Sequence, residues 1–148
     1  MRLLISAVIT LLISASAFAF DVTSSENESM KTKADELCGC SGAYQAFSDL
    51  KRSSGAPAGA KQLSEMANGY GFVASVLIYR LNDNYELAGL YVEECKGRAH
   101  NYWLARVDSG PKNELVDDFS KQLKKCLTNG QFVEDILNTF RDEAYGLD

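Results

Sequence analysis

Two cysteines separated by a single residue, Cys38 and Cys40, place the strongest constraint on how this chain can fold. They lie in a segment with a helical repeat, where side chains two residues apart diverge by roughly 200°. A bond between them would close too small a ring. Each is therefore expected to bond a different partner, one taking Cys95 and the other Cys126. The spacing leaves open which takes which, and each bridge would contribute about 3 to 4 kcal/mol.

The beginning of the chain predicts export. Arg2 precedes an almost continuous apolar stretch, and Ala17-Phe18-Ala19 is the small-x-small pattern that a signal peptidase recognises. We expect residues 1–19 to be a signal peptide and the mature protein to begin at Phe20. Export to an oxidising compartment favours disulfide formation. The periplasm is the expected location, with the extracellular space as the alternative.

The remainder, residues 20–148, has the size of one domain. No apolar run in it approaches the roughly 20 residues needed to cross a bilayer, so no membrane span is expected after cleavage. The formal net charge of the whole chain is -5, and acidic residues lie scattered among lysines. Without a basic stripe, a nucleic-acid partner is not expected.

Apolar side chains recur at steps of three and four residues in five consecutive segments, which is the spacing of one helix face. The predicted helices cover residues 26–52, a stripe from Leu63 to Leu81 after the break at Pro57, residues 85–107, a segment after Pro111, and a shorter segment after Asn129-Gly130. Residues 72–79 could form a buried strand, but their continuity with the stripe favours a helix. The expected fold is all-α: four long antiparallel helices and a short C-terminal helix in one disulfide-stabilised bundle.

Three local patterns refine this prediction. Ser25 and Glu28 have the spacing of a capping box at the start of the first helix. Phe72, Val76 and Tyr79 give the second helix another apolar face, which is typical of a central element. Small residues in the first helix would let a second backbone approach closely; they are Gly39, Ser41, Gly42 and Ala43.

No catalytic, metal-binding or cofactor-binding set emerges from the residue pattern. Cys38 and Cys40 could bind a soft metal or exchange disulfides, but they lie within a helix and the other two cysteines are isolated. His100 is the single histidine and is expected at the solvent edge of the third helix. Met30 with His100 could ligate a haem, although a methionine on an apolar stripe is more often a core residue. A metal- or haem-carrying bundle using Cys38, Cys40, Met30 or His100 is the alternative hypothesis.

A tryptophan beside arginines, as in Arg98, Trp103 and Arg106, has the composition of a protein-binding hot spot. The other interpretation, which we favour, is that Trp103 packs against a neighbouring helix. The sequence thus predicts a small exported helical bundle, binding or envelope-associated rather than enzymatic. Its partner would be an envelope protein, an extracellular protein or a small ligand.

Overall fold

The computed structural model describes residues 24–145, and the proposed signal peptide, residues 1–19, lies outside that range. Those described residues form five helices and no strand: α1 (Ser25–Ser53), α2 (Pro57–Asn82), α3 (Tyr85–Ser109), α4 (Lys112–Thr128) and α5 (Gly130–Tyr145). The all-α fold is confirmed. Residues 72–79 are helical, as their continuity with the preceding stripe indicated.

The helix ends differ from the prediction in two places. The residue that caps α1 is Ser24 rather than Ser25, because the Ser24 hydroxyl accepts a hydrogen bond from the backbone N–H of Asn27, at 3.1 Å. Pro57 is the first residue of α2 and not part of the preceding loop. Proline is suited to this position because its missing N–H would have no partner in the first turn.

The long helices α1, α2 and α3 pack against one another, and the shorter α4 and α5 lie against this group. Two buried serines of α1 fix its register against α2. The Ser41 hydroxyl donates to the carbonyl oxygen of Ala67, and the Ser48 hydroxyl donates to that of Ala60, both at 2.7 Å. The donors advance along α1 while the acceptors move back along α2 by the same step, so the two helices are antiparallel.

At Gly42, the backbones of α1 and α3 approach each other closely. A Cβ atom built at Gly42 would lie 2.6 Å from the Cβ of Ala99 and 2.9 Å from the backbone nitrogen of His100. No side chain larger than hydrogen fits there. The same construction at Gly39 meets nothing within 4 Å. The close approach expected from the small residues of α1 is therefore confirmed at Gly42.

Both disulfides begin on α1 and lead to different helices. Cys38 is bonded to Cys95 on α3, with Cα atoms 6.0 Å apart, and Cys40 is bonded to Cys126 on α4, with Cα atoms 5.6 Å apart. The prediction of two bridges with separate partners is confirmed. All four cysteines are buried, so solvent has little access to the sulfur atoms.

Trp103 lies in a small apolar cluster between α1, α3 and α4. Its side chain is 5% exposed, and its ring centroid is 5.7 Å from that of Phe47 and 6.2 Å from that of Phe119. Ala43 and Ala46 of α1 complete the buried part of the cluster. Trp103 is thus a contact between helices.

Candidate functional site

A groove of about 340 Å³ opens between α2 and α3 and is bordered by the far end of α5. This volume is within the range of roughly 300 to 1,000 Å³ that is common for small-molecule sites. We call it the aromatic groove. It is lined by Phe72, Ser75, Val76, Tyr79, Arg80, Tyr85, Ala88, Gly89 and Phe140.

The aromatic groove exists because α2 is apolar on two faces. One face is buried in the core and includes Val73, Leu77 and Ile78. The other face carries Phe72, which remains 44% exposed, and Val76. The second apolar face, expected to mark α2 as a central helix, is only partly covered by its neighbours. An uncovered apolar surface with a concave shape is a candidate binding site.

Four rings border the groove as two pairs. Phe72 and Phe140 meet edge to face, with centroids 5.4 Å apart. Tyr79 and Tyr85 are stacked, with centroids 3.8 Å apart and planes inclined by 10°. Aromatic surfaces of this kind provide a large apolar contact area at low cost in side-chain entropy. Since α3 contributes the small residues Ala88 and Gly89 to the lining, the space between the rings stays open.

Among residues 24–145, Arg80 is the one charged side chain that lines the aromatic groove. It is exposed and forms no ion pair with any residue from 24 to 145. The carboxylate of Asp83 lies beside the Tyr79 hydroxyl and, together with Tyr85, raises the pKa of that hydroxyl. The carboxyl end of α2 and the amino end of α3 meet at this turn, so their dipoles offset each other.

A second apolar groove, of about 380 Å³, lies on the other side of Arg80. Its apolar lining comes from α1, α2 and α5, with Glu26 and Lys33 at its border; the apolar residues are Met30, Leu77, Phe132 and Ile136. Arg80 lines both grooves. Its guanidinium group therefore stands between two apolar surfaces.

A polar cleft continues the aromatic groove in the opposite direction, sharing Phe72, Ser75 and Gly89 with it. Its border carries one acidic and one basic side chain, Glu93 and Lys96. Because these two charges are opposite, the border of the cleft is neither predominantly acidic nor predominantly basic. The unpaired cation at Arg80 therefore remains the distinctive electrostatic feature of the connected grooves.

The structure separates the residues of the metal or haem hypothesis. Cys38 and Cys40 are in disulfides. His100 is partly exposed, as expected for the solvent edge of α3, and its Nε2 atom lies 2.9 Å from Oδ2 of Asp49. Met30 precedes Asp49 by nineteen residues on the same helix, a separation of about 28 Å at 1.5 Å per residue. Met30 and His100 therefore cannot ligate one iron together.

The three residues expected to bind a partner do not meet at the groove. Trp103 is in the core, and the exposed-anchor interpretation of its side chain is wrong. Arg98 pairs with Glu94 within α3, whereas Arg106 pairs with Asp118 and so connects α3 to α4. A role of Arg98, Trp103 and Arg106 in partner binding stays a prediction, without an exposed tryptophan to support it.

Between residues 24 and 145, no group of three or more histidine, cysteine, aspartate or glutamate side chains is placed to hold a metal ion. Within the same range, no helix has the length and apolarity needed to cross a membrane.

The fold and the aromatic groove together define a disulfide-bonded helical bundle with an apolar cleft of ligand size. No protein-family model, no curated protein and no solved structure matches this chain. The geometry of the groove is therefore the basis for assigning a function.

Proposed function

We propose that this chain is an exported binding protein that holds a small apolar ligand in the aromatic groove without acting on it chemically. The main support for this proposal is the groove itself, which has a volume of about 340 Å³ and is bordered by Phe72, Tyr79, Tyr85 and Phe140. Phe72 is apolar yet 44% exposed. A ligand that covers such a ring gains the free energy of removing apolar surface from water.

Binding without catalysis fits the polar groups of the groove. Ser75 is the one aliphatic hydroxyl in the lining, and it donates a hydrogen bond to the carbonyl oxygen of Phe72, at 2.7 Å. In the described part of the chain, no histidine, carboxylate or lysine side chain lines the groove to activate this hydroxyl. General acid–base catalysis requires such a group within hydrogen-bond reach of the reacting atoms.

Export is part of the same proposal. The apolar segment at residues 1–19 has the pattern of a signal peptide, and two buried disulfides are compatible with an oxidising compartment. The periplasm is the compartment we propose. There the protein would capture or carry an apolar molecule that is poorly soluble in water.

A fluorescence titration with the neutral apolar dye phenylnaphthylamine tests the proposal. The oxidised protein should bind the dye saturably, and Phe72→Ser should weaken binding about tenfold, since a well-buried ring contributes about 1.5 to 3 kcal/mol. The matched control is Tyr102→Ser, because Tyr102 is also an exposed aromatic residue but lies outside the groove. Absence of saturable binding, or equal binding by the Phe72→Ser protein, would contradict the proposal.

A further inference from the structure

We propose that the ligand of the aromatic groove is an amphipathic monocarboxylate, of which a medium-chain fatty acid is the simplest form, and that Arg80 binds its carboxylate. This inference rests on the proposed function and specifies the class of ligand. Three observations support it: the ion pairing of the described arginines, the position of Arg80, and the apolar character of the surfaces beside Arg80.

Arg80 differs from every other arginine in the described range. Four arginines have a carboxylate oxygen within 4.0 Å: Arg52 with Asp49, Arg98 with Glu94, Arg106 with Asp118, and Arg141 with Asp142. Arg80 has none among residues 24–145. A guanidinium group presents a fork of N–H donors that matches a carboxylate. The guanidinium group of Arg80 is therefore suited to bind an acidic group supplied by a ligand.

The position of Arg80 defines the shape of that ligand. Arg80 follows Tyr79 directly and lies one helical turn after Val76, and both of these residues line the aromatic groove. A carboxylate bound to Arg80 thus places the rest of its molecule against the apolar lining. On the opposite side of Arg80, Leu77 and Ile136 belong to the second apolar groove. The cation is flanked by apolar surface, an arrangement that suits one acidic head group on an apolar body.

Nearby basic groups are less suited to this role. Lys33 borders the second groove, but its Nζ atom donates to Oδ1 of Asn129 at 2.8 Å and to Glu36 at 3.2 Å. Lys96 borders the polar cleft, which also contains Glu93. Within residues 24–145, Arg80 alone both lines the aromatic groove and carries a charge without an ion-pair partner. Its removal should therefore affect acidic ligands selectively.

Displacement of bound phenylnaphthylamine by decanoate and by decanol tests the inference, because the two molecules share an alkyl chain and differ in the acidic group. The readout is the ratio of the decanol to the decanoate dissociation constant. We expect Arg80→Gln to lower this ratio about tenfold and to leave decanol binding unchanged. Arg98→Gln is the matched control, since Arg98 is exposed and already paired with Glu94; it should leave the ratio as in the wild type.

Each outcome separates this inference from the proposed function. If decanoate and decanol displace the dye from the wild type and the Arg80→Gln protein keeps the same ratio, the acidic ligand is wrong and the apolar site stands. If the wild type does not bind the dye, both are wrong. A stable dimer that Phe72→Ser dissociates, with no dye binding, would instead make the groove a surface between two copies. Urea denaturation midpoints of the variants verify that each one is folded.

Discussion

Gly42 and Ala99 are in such close contact that a methyl group at Gly42 would lie 2.6 Å from the Cβ of Ala99. Two aliphatic carbons do not approach this closely, since their optimal separation is about 3.5 to 4.0 Å. The neighbouring atoms include the backbone of His100, which cannot rotate away as a flexible side chain would. The packing of α1 on α3 therefore requires glycine at this position.

The first prediction concerns this contact. Gly42→Ala should lower the free energy of unfolding by about 1 to 3 kcal/mol, because the helices must separate to admit the methyl group. Gly39→Ala, one turn earlier on α1, should raise it by about 0.5 to 1 kcal/mol, because alanine favours the helix and nothing lies within 4 Å. Urea denaturation of the oxidised proteins measures both. Equal effects at the two positions would contradict the close contact.

The second prediction concerns the bridge between α1 and α4. Replacement of Cys40 and Cys126 by alanine should lower the free energy of unfolding by about 4 kcal/mol, since the bridge joins residues 86 apart in sequence. Loss of this tether should also speed amide hydrogen exchange in α4 more than in α1 or α2. The matched variant replaces Cys38 and Cys95 by alanine. Amide hydrogen exchange in α4 should be slower in this variant than in the variant without the Cys40–Cys126 bridge. If both double variants melt within a few degrees of the wild type, the bridges do not stabilise the fold.

The third prediction concerns Trp103. Trp103→Ala should lower the free energy of unfolding by about 3 to 5 kcal/mol, because it leaves a cavity where the indole packs beside Phe47 and Phe119. Its neighbour Tyr102 is 55% exposed, so Tyr102→Ala should change stability by less than about 1 kcal/mol. Thermal denaturation compares the two variants. A Trp103→Ala protein as stable as the wild type would show that the small cluster contributes little to stability.

The fourth prediction concerns alkaline pH. Burial raises the pKa of Tyr44 to about 12, with a further contribution from the nearby Tyr70. The folded pKa lies above the unfolded value of about 10, so the stabilisation is fully present below pH 10 and is lost as the pH rises toward 12. Tyr44→Phe should flatten this loss, whereas Tyr102→Phe should not. Urea titrations between pH 9 and pH 12 would contradict the prediction if the Tyr44→Phe and wild-type curves were parallel.

The fifth prediction concerns processing. Ala17-Phe18-Ala19 should direct cleavage after Ala19, so that the exported protein begins at Phe20. The intact mass of protein recovered from the periplasm or the medium measures this directly. A mature chain that still contains Met1, or one that begins far from Phe20, would show that the proposed boundary is wrong.

The helices were predictable because their determinant is local. The stripe from Leu63 to Leu81 repeats every three or four residues, and such a repeat needs no knowledge of the rest of the fold. The separate partners of Cys38 and Cys40 followed from helix geometry alone. The choice of Ser24 over Ser25 as the cap could not be predicted, because both serines can supply the capping hydroxyl and a shift of one residue in the helix start decides between them.

The aromatic groove was not predictable in the same way. Phe72 and Val76 were recognised as a second apolar face, but an apolar face is compatible with burial and with exposure alike. Whether it is covered depends on how far α3 and α5 extend over it, and Phe140 reaches it from a distant part of the sequence. The unpaired state of Arg80 is likewise a tertiary property, because its potential carboxylate partners are fixed by packing.

The pairing of the cysteines also determines which turns of the backbone can be cleaved while the resulting fragments stay covalently joined. The turns at residues 54–56 and 83–84 lie inside both covalent rings, and the turn at 110–111 lies inside the ring closed by Cys40 and Cys126. A protease that nicks any of these turns leaves one covalently joined molecule. A nick at Asn129 is different, because α5 lies outside both rings. After such a cut, the helix that carries Phe140, and with it one wall of the aromatic groove, is held to the rest of the protein by packing contacts alone.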